Sequence, residues 1–453
     1  KTCQSTSQMS AHGRLARRKA LGGLGTLFLA AGTALIILSG LDDTAPPALL
    51  LYWGAPRAPP PPPPSLAPLK SAAPQGFNFG TAHNDLRVFR LGDDAVSRYE
   101  REVARHFNIV TPENACKPST IATSPDNLTW DFSACDRVLA FAEANSLKMR
   151  LHTLAWGEWN PKWMEDLPMA ERRNVLHAYM AAVLGRYRDR SGVAYVDVVN
   201  EACCDNIAFT ASKQNCDPAL GTLKAGQWFP AIRDYLDDVF AFAREVAPPH
   251  AKLVYNDYGA ESLMDPTDPD KADRVYETVR QALARGVPID AVGFQFHVSD
   301  MHGGHGMTGS ALFKHWIEGV KRNFHRFAHL GVEIHVTEID VGCNMPTLTC
   351  VHGFGYSQRE REQEQARVFA QILDACLSVP ECTTYQAWGW TDRFSWRDEG
   401  EASGWLAADQ EALMFDAAYE PKEAAFAMER TLRAHSETTA RMETSVAPSS
   451  GSR

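Results

Sequence analysis

From Gly76 onward, short apolar runs rich in β-branched residues recur along the chain, and most close on a polar or aromatic residue. The clearest is 194–202, Ala-Tyr-Val-Asp-Val-Val-Asn-Glu-Ala. Runs this short, with this much Val, read as buried strands rather than helices. The same pattern marks 77–81, 108–111, 148–152, 195–200, 252–256, 291–296, 333–337 and 384–388. Between them, apolar residues recur three and four positions apart, for example at 169–187, 232–246, 272–285 and 358–377, which predicts helices. Eight strands alternating with helices predict an α/β fold with a parallel sheet, and eight is the number that closes a (β/α)8 TIM barrel.

In such barrels chemistry gathers at the carboxyl ends of the strands. Those ends here carry Glu113, Asn114 and Lys117; His152 and Trp156; Asn200 and Glu201; Asn256 and Asp257; Gln295 and His297; Glu338 and Asp340; and Trp388. Packing gives no reason for a carboxylate at the end of a buried strand, because carboxylates are rarely buried unless paired or used. A single such Glu reads equally well as a helix cap or a surface residue. Two of them, Glu201 and Glu338, on strands far apart in sequence, predict a pair of carboxyl groups converging at one edge, which is the equipment of glycoside hydrolysis.

The segments outside this repeat read differently. Residues 1–19 are a basic segment containing Arg14, Arg17, Arg18 and Lys19, and 20–41 form an apolar run long enough to span a bilayer. Residues 42–75 are a linker whose uninterrupted prolines, Pro59 to Pro64, predict a stiff extended spacer. The expectation is a signal-anchor helix on a proline stalk, with its basic end cytoplasmic; a cleaved signal peptide is the alternative. Either places the catalytic domain, 76–435, in an extracellular or lumenal compartment. Residues 436–453 lack apolar periodicity and read as a disordered tail.

Composition narrows the partners. The chain has 453 residues, 45% of them hydrophobic, enough for one large barrel, and its formal charge of −10 argues against a nucleic-acid partner. No phosphate-binding glycine loop or dinucleotide fingerprint occurs, so no cofactor is expected. His302-Gly-Gly-His305 lacks a partnering Cys/His set and reads as a solvated loop; His325 and His329 lie one helical turn apart on an expected exposed face. No metal site is expected, and the chain is read as a monomer. Every cysteine but Cys3 lies beyond the stalk, consistent with an oxidising compartment. Local spacing suggests Cys376–Cys382, Cys343–Cys350, Cys116–Cys135, and Cys216 with either Cys203 or Cys204. Asn127-Leu-Thr129 is a glycosylation sequon.

Several segments carry a resemblance in order: Thr-Pro-Glu-Asn-Ala-Cys-Lys117, His152-Thr-Leu-Ala-Trp156, Asp197-Val-Val-Asn-Glu-Ala202, Tyr255-Asn-Asp-Tyr258, Gly293-Phe-Gln-Phe-His297, Val336-Thr-Glu-Ile-Asp340, and Trp388-Gly-Trp-Thr-Asp392 with Ser395-Trp396. Over about residues 76–432 the chain resembles glycoside hydrolase family 10, the xylanase family. The resemblance implies a retaining (β/α)8 hydrolase of β-linked polysaccharide, usually the xylan backbone. It implies Glu201 as acid/base and Glu338 as nucleophile, with His297 bonded to Glu338 and oriented by Asp340. Asn200 would bind the hydroxyl beside the anomeric carbon. Glu113, Asn114, Lys117 and His152 would bind sugar on the non-reducing side, Gln295 would line the site, and Trp156, Trp388 and Trp396 would wall the ring.

The chain departs from the family in two places. The Trp of the third-strand motif is usually followed by His-Ser-Gln, and here Trp156 is followed by Gly157-Glu158-Trp159. The Lys of the second motif is usually followed by Trp, and here by Pro118. The pair of Glu is untouched, so endo-hydrolysis of xylan or a xylan-like polysaccharide is expected; the alternatives are a glycosidase or transglycosylase with an altered glycone site and a membrane-tethered carbohydrate-binding protein without catalysis.

Overall fold

The computed structural model describes residues 65–125, 129–205, 216–264, 270–298, 309–342, 357–397 and 411–446, with side chains through Arg441. The anchor segment, the proline stalk to Pro64, Asn127 of the sequon, His302, His305, Cys343 and Cys350 lie outside the described residues. Among the described residues no helix is long and apolar enough to cross a membrane.

The main strands are β1 (Asn78–His83), β2 (Ile109–Pro112), β3 (Lys148–Leu151), β4 (Val193–Asn200), β5 (Lys252–Asp257), β6 (Ala291–Phe294), β7 (Glu333–Val341) and β8 (Cys382–Ala387). Each pairs in parallel with its sequence neighbour, and β8 pairs with both β7 and β1, closing the ring. The result is a (β/α)8 TIM barrel. The strands are buried along almost their whole length because helices cover the outer face and side chains fill the inside, so the sequence shows continuous apolar runs instead of alternation. All eight strands sit where the pattern places them, within two residues at their amino ends. β7 runs four residues past the expected 337, carrying Glu338 and Asp340 inside the strand.

The outer helices follow the same logic. Met169–Tyr187 and Gln358–Leu377 have the expected bounds. The second opens on a capping box, with the Ser357 hydroxyl accepting from the Glu360 N–H and the Glu360 carboxylate accepting from the Ser357 N–H. The expected 232–246 helix begins later, at Tyr235, because the chain leaving Pro230 turns before it winds.

Two boundaries need correction. The expected linker to residue 75 gives up its last part to the barrel: Leu66, Leu69 and Ala72 are buried, and Arg105 Nη2 donates to the Leu66 carbonyl (3.1 Å). The expected disordered tail from 436 is helical as far as Val446, continuing a helix that starts at Glu423. That helix packs on Gln358–Leu377 through its amino-terminal half and is held again where His435 meets Asp374 (2.8 Å), so the exposed 437–441 turn extends an already anchored nucleus.

Disulfides join Cys116–Cys135, Cys204–Cys216 and Cys376–Cys382. Adjacent residues of an extended chain point to opposite sides, so Cys204 reaches Cys216 while Cys203 stays buried as a free thiol.

Candidate active site

Register at the carboxyl edge assembles one layer of polar side chains. Trp156 pairs with Asn200, Asn200 with Asn256, and His297 with Asp340. Just past β4, the chain turns through Glu201 at φ +55°, a left-handed conformation that costs roughly 1–2 kcal/mol for a residue with a side chain. Phe296, just past β6, does the same at φ +57°. Strain at the ends of strands that carry a polar cluster is the kind that a functional geometry retains.

The two carboxyl groups stand in different surroundings. Glu201 accepts from Trp156 Nε1 at Oε2 (2.8 Å) and from Gln295 Nε2 at Oε1 (2.8 Å). Burial pushes its carboxyl above the ordinary range, Lys224 pulls it down, and the negative charges of Glu158 and Glu338 push it up again. Glu338 accepts from Asn256 Nδ2 at Oε1 (2.8 Å) and faces His297 Nε2 at Oε2 (3.1 Å). Burial would raise it too, but the bond to His297, the positive field of His152 and His297 and the Asn256 amide outweigh burial and hold it below the ordinary range. One carboxyl is thus biased towards its acid form and the other towards its carboxylate.

A hydrogen-bonded bridge links them. Asn256 Nδ2 donates to both Glu338 and Asn200 Oδ1 (2.8 Å), and Gln295 Nε2 reaches Asn200 Oδ1 (3.4 Å) as well as Glu201. Asn200 therefore spends its carbonyl on the scaffold, and its buried Nδ2 has no partner among the described residues. A buried amide donor left open is costly unless something arrives to accept from it.

The expected His297 arrangement is present. Its Nδ1 faces Asp340 Oδ2 (3.1 Å), and the two carboxylates overcome burial to raise the imidazole to about 10. Asp340 is itself fixed by Trp396 Nε1 (2.6 Å) and by Arg397 through Nε (2.8 Å) and Nη2 (2.6 Å). Trp396 thus holds Asp340 and sets its ring edge-on to His297 (5.0 Å).

On the other side, Lys117 Nζ donates to Asn114 Oδ1 (3.0 Å) and lies over three indoles: Trp159 (4.7 Å), Trp156 (5.1 Å) and Trp388 (5.9 Å). His152 bonds Asp197 (2.9 Å) and meets the edge of Trp388 (5.2 Å). Glu113 is held by Arg87 (2.7 Å) and Asn84 (3.0 Å), and burial pushes its carboxyl up against the pull of Arg87. Pro118, where the family has Trp, is buried at the first position of the short helix Pro118–Ile121, a place that suits proline.

The residues picked from the sequence fall in this layer except Asp257, which is taken up by Tyr255 (2.8 Å), the Cys203 N–H (3.1 Å) and Lys271 (3.3 Å), and some of the others hold each other: Gln295 faces Glu201, and Trp396 faces Asp340. Sequence reasoning missed Arg397, Asp197, Asn84, Arg87 and Lys224, which act as partners of the picked residues. Arg397 had one available signal, its place directly after Ser395-Trp396; the others are brought in by strands and loops distant in sequence.

The model of the family described as Glycosyl hydrolase family 10 matches residues 68–431. The chain is 31% identical over 334 residues to endo-1,4-beta-xylanase B of Thermotoga neapolitana, covering 73% of this chain and 82% of that protein. Native xylanase 10B from Thermotoga maritima matches with a TM-score of 0.66 at 30% identity, covering 83% of this chain and 99% of that one. Xylanase 10B from Thermotoga petrophila RKU-1, solved in complex with xylobiose, matches with a TM-score of 0.65 at 30% identity, over 82% of this chain and 98% of that one.

Proposed function

From the premise that this chain belongs to glycosyl hydrolase family 10, we propose that it is a retaining endo-β-1,4-xylanase. Glu338 is the nucleophile and Glu201 the acid/base. The observation that carries this reading is the opposite bias of the two bridged carboxyl groups. In the first step Glu338 attacks the anomeric carbon while Glu201 gives its proton to the leaving oxygen; in the second Glu201 takes a proton from water, which displaces Glu338. His297 and Asn256 keep Glu338 ionised and aimed. The open Nδ2 of Asn200 is the donor for the neighbouring sugar hydroxyl, a contact that strengthens in the transition state. The substrate reading is supported by the relatives named xylanase and by the neighbour that holds xylobiose.

The test is chemical. Glu201→Ala, supplied with azide and an activated aryl β-xyloside, is expected to regain turnover and yield the β-glycosyl azide. An inverted product, or full activity in Glu338→Gln, removes the retaining mechanism.

A second reading, altered glycone preference, is favoured by Trp159. Its indole is 53% exposed at φ +53° and roofs Lys117, where the family usually offers polar contacts. A Cβ added at Gly157 meets nothing within 4 Å, so a side chain can start from this position. Restoring those contacts with Gly157→His and Trp159→Gln is expected to raise kcat/KM on linear xylo-oligosaccharides by an amount equivalent to about 1–3 kcal/mol. No gain in a folded double variant points to another glycone.

The apolar run at 20–41 behind its basic residues supports a membrane tether, with the barrel on the extracellular or lumenal side. Release of the full chain from membranes by carbonate washing would sink that reading.

A further inference from the structure

Lys224 is a buried cation that the chemistry above leaves unused. Its N–H donates to the Ala202 carbonyl (2.9 Å), and Leu223 bridges Cys203, so its backbone is zipped to the segment leaving Glu201. Its Nζ is buried and has no hydrogen-bond partner among the described residues. It lies over the Tyr258 ring at 5.3 Å. Lys271 lies over the same ring at 3.4 Å, but that ammonium is paired with Asp205 and with Asp257 (3.3 Å). Of the two cations over this ring Lys271 is ion-paired, whereas Lys224, whose charge also acts on Asp205, has no hydrogen bond or ion pair among the described residues.

An unpaired buried ammonium is expensive, and a cation–π contact returns only part of the cost. The side chain that feels the charge most usefully is Glu201, on which Lys224 is the strongest of the influences opposing burial. We propose that Lys224 is a positioning residue, the counter-charge of the carboxylate that Glu201 becomes once its proton has passed to the leaving oxygen. The proposal rests on the acid/base role proposed for Glu201. In the resting enzyme Glu201 is protonated, and the ammonium faces Asp205 only at longer range, with no ion pair among the described residues. After the first step the carboxylate has formed, Glu338 has been neutralised as the glycosyl ester, and the ammonium stabilises the new anion. When water gives Glu201 a proton in the second step, the pairing lapses and the cycle closes with no other proton moved.

The other groups acting on Glu201 are Glu158 beyond β3, Lys117 beyond β2, Tyr258 beyond β5, Gln295 beyond β6 and Glu338 on β7, with Trp156 as a second donor. Glu158 and Glu338 add negative charge, so removing Lys224 leaves the acid form of Glu201 favoured further.

The experiment measures pH profiles of Lys224→Met and Lys224→Arg on two aryl β-xylobiosides, phenyl, which needs a proton on leaving, and 2,4-dinitrophenyl, which does not. For Lys224→Met the alkaline limb of kcat/KM on the phenyl substrate is expected to move up by roughly one pH unit. Its kcat on the dinitrophenyl substrate near neutral pH, limited by the second step, is expected to fall roughly tenfold. Lys224→Arg keeps both. If the Met variant does not fold, Lys224→Gln, which drops the charge and keeps a polar side chain one atom shorter, takes its place. An alkaline limb that stays put or moves down without the charge, or an equal loss on both substrates at every pH, overturns the proposal. Wild-type enzyme inactive on both substrates, or Glu201→Gln fully active on the phenyl one, overturns the acid/base reading instead.

Discussion

His335 and His297 both sit inside the barrel, and their surroundings shift them in opposite directions. His335, on β7 at mid-height, lies beside the Arg150 guanidinium (3.0 Å), and burial together with that cation lowers it to about 4. His297, at the carboxyl edge, lies between Glu338 and Asp340, which raise it to about 10 against the same burial. Burial alone does not set the state of a buried group; the sign of its neighbours does.

The layers around the two histidines differ in the same way. At mid-height the polar groups close on each other: Arg150 grips Asp197 with Nε and Nη2 (2.9 and 2.5 Å), Asp197 also takes His152, and His335 reaches Glu333 (3.3 Å), which takes Lys252. At the edge, Asn200 Nδ2 and Lys224 Nζ find no hydrogen-bond partner among the described residues. A satisfied network is structure; an unsatisfied one beside it is a place where a ligand or a reaction supplies the missing partner.

The sharpest way to break this contrast is to remove one carboxylate from each layer. Glu338→Gln is expected to cost roughly 10⁴-fold or more in kcat while thermal unfolding stays close to wild type; a comparable loss of folding would put Glu338 with the structural layer. Asp197→Ala is expected to do the reverse first, destabilising the fold by about 3–5 kcal/mol because it leaves Arg150 buried without its carboxylate. Denaturant unfolding measures it, and a loss under about 1 kcal/mol would show that the mid-height network does not hold the barrel.

The histidines give two finer tests. Since His335 is lowered to about 4 in the fold, its contribution is complete above about pH 6.5, where it is neutral in both states. It is lost as the pH falls from there to about 4, by about 3 kcal/mol at most. Unfolding followed between those limits is expected to lose this slope in His335→Gln. At the edge, His297→Asn removes the cation that keeps Glu338 ionised. Glu338 must be a carboxylate to attack, so activity falls with pH through its lowered range, and the variant's acid limb is expected to move up by about one unit. A limb that does not move would leave Asn256 and His152 as sufficient partners for Glu338.

The sequence by itself determined the barrel and most of its polar edge. Short Val-rich runs alternating with helical periodicity require a parallel sheet covered on its outside, and a polar residue closing such a run has nowhere to go but the rim or the lumen. Glu201, Glu338, Asn200, His297 and Asp340 were therefore visible in the chain, as were three of the disulfides up to the choice between Cys203 and Cys204. The tertiary structure alone decided what those residues touch. Arg397 fixing Asp340, Asp197 fixing His152, Trp159 roofing Lys117 and the charge of Lys224 acting on Glu201 all join segments whose separation in sequence carries no distance information. It also decided the two edges of the domain. Leu66 and Leu69 are core because helices distant in sequence, Asp93–His106 and the last one, pack against this segment, and residues beyond Arg433 are helical because packing upstream has already nucleated the helix. Local pattern records which side chains avoid water, whereas the charge state of a buried group depends on neighbours that only the closed barrel brings together.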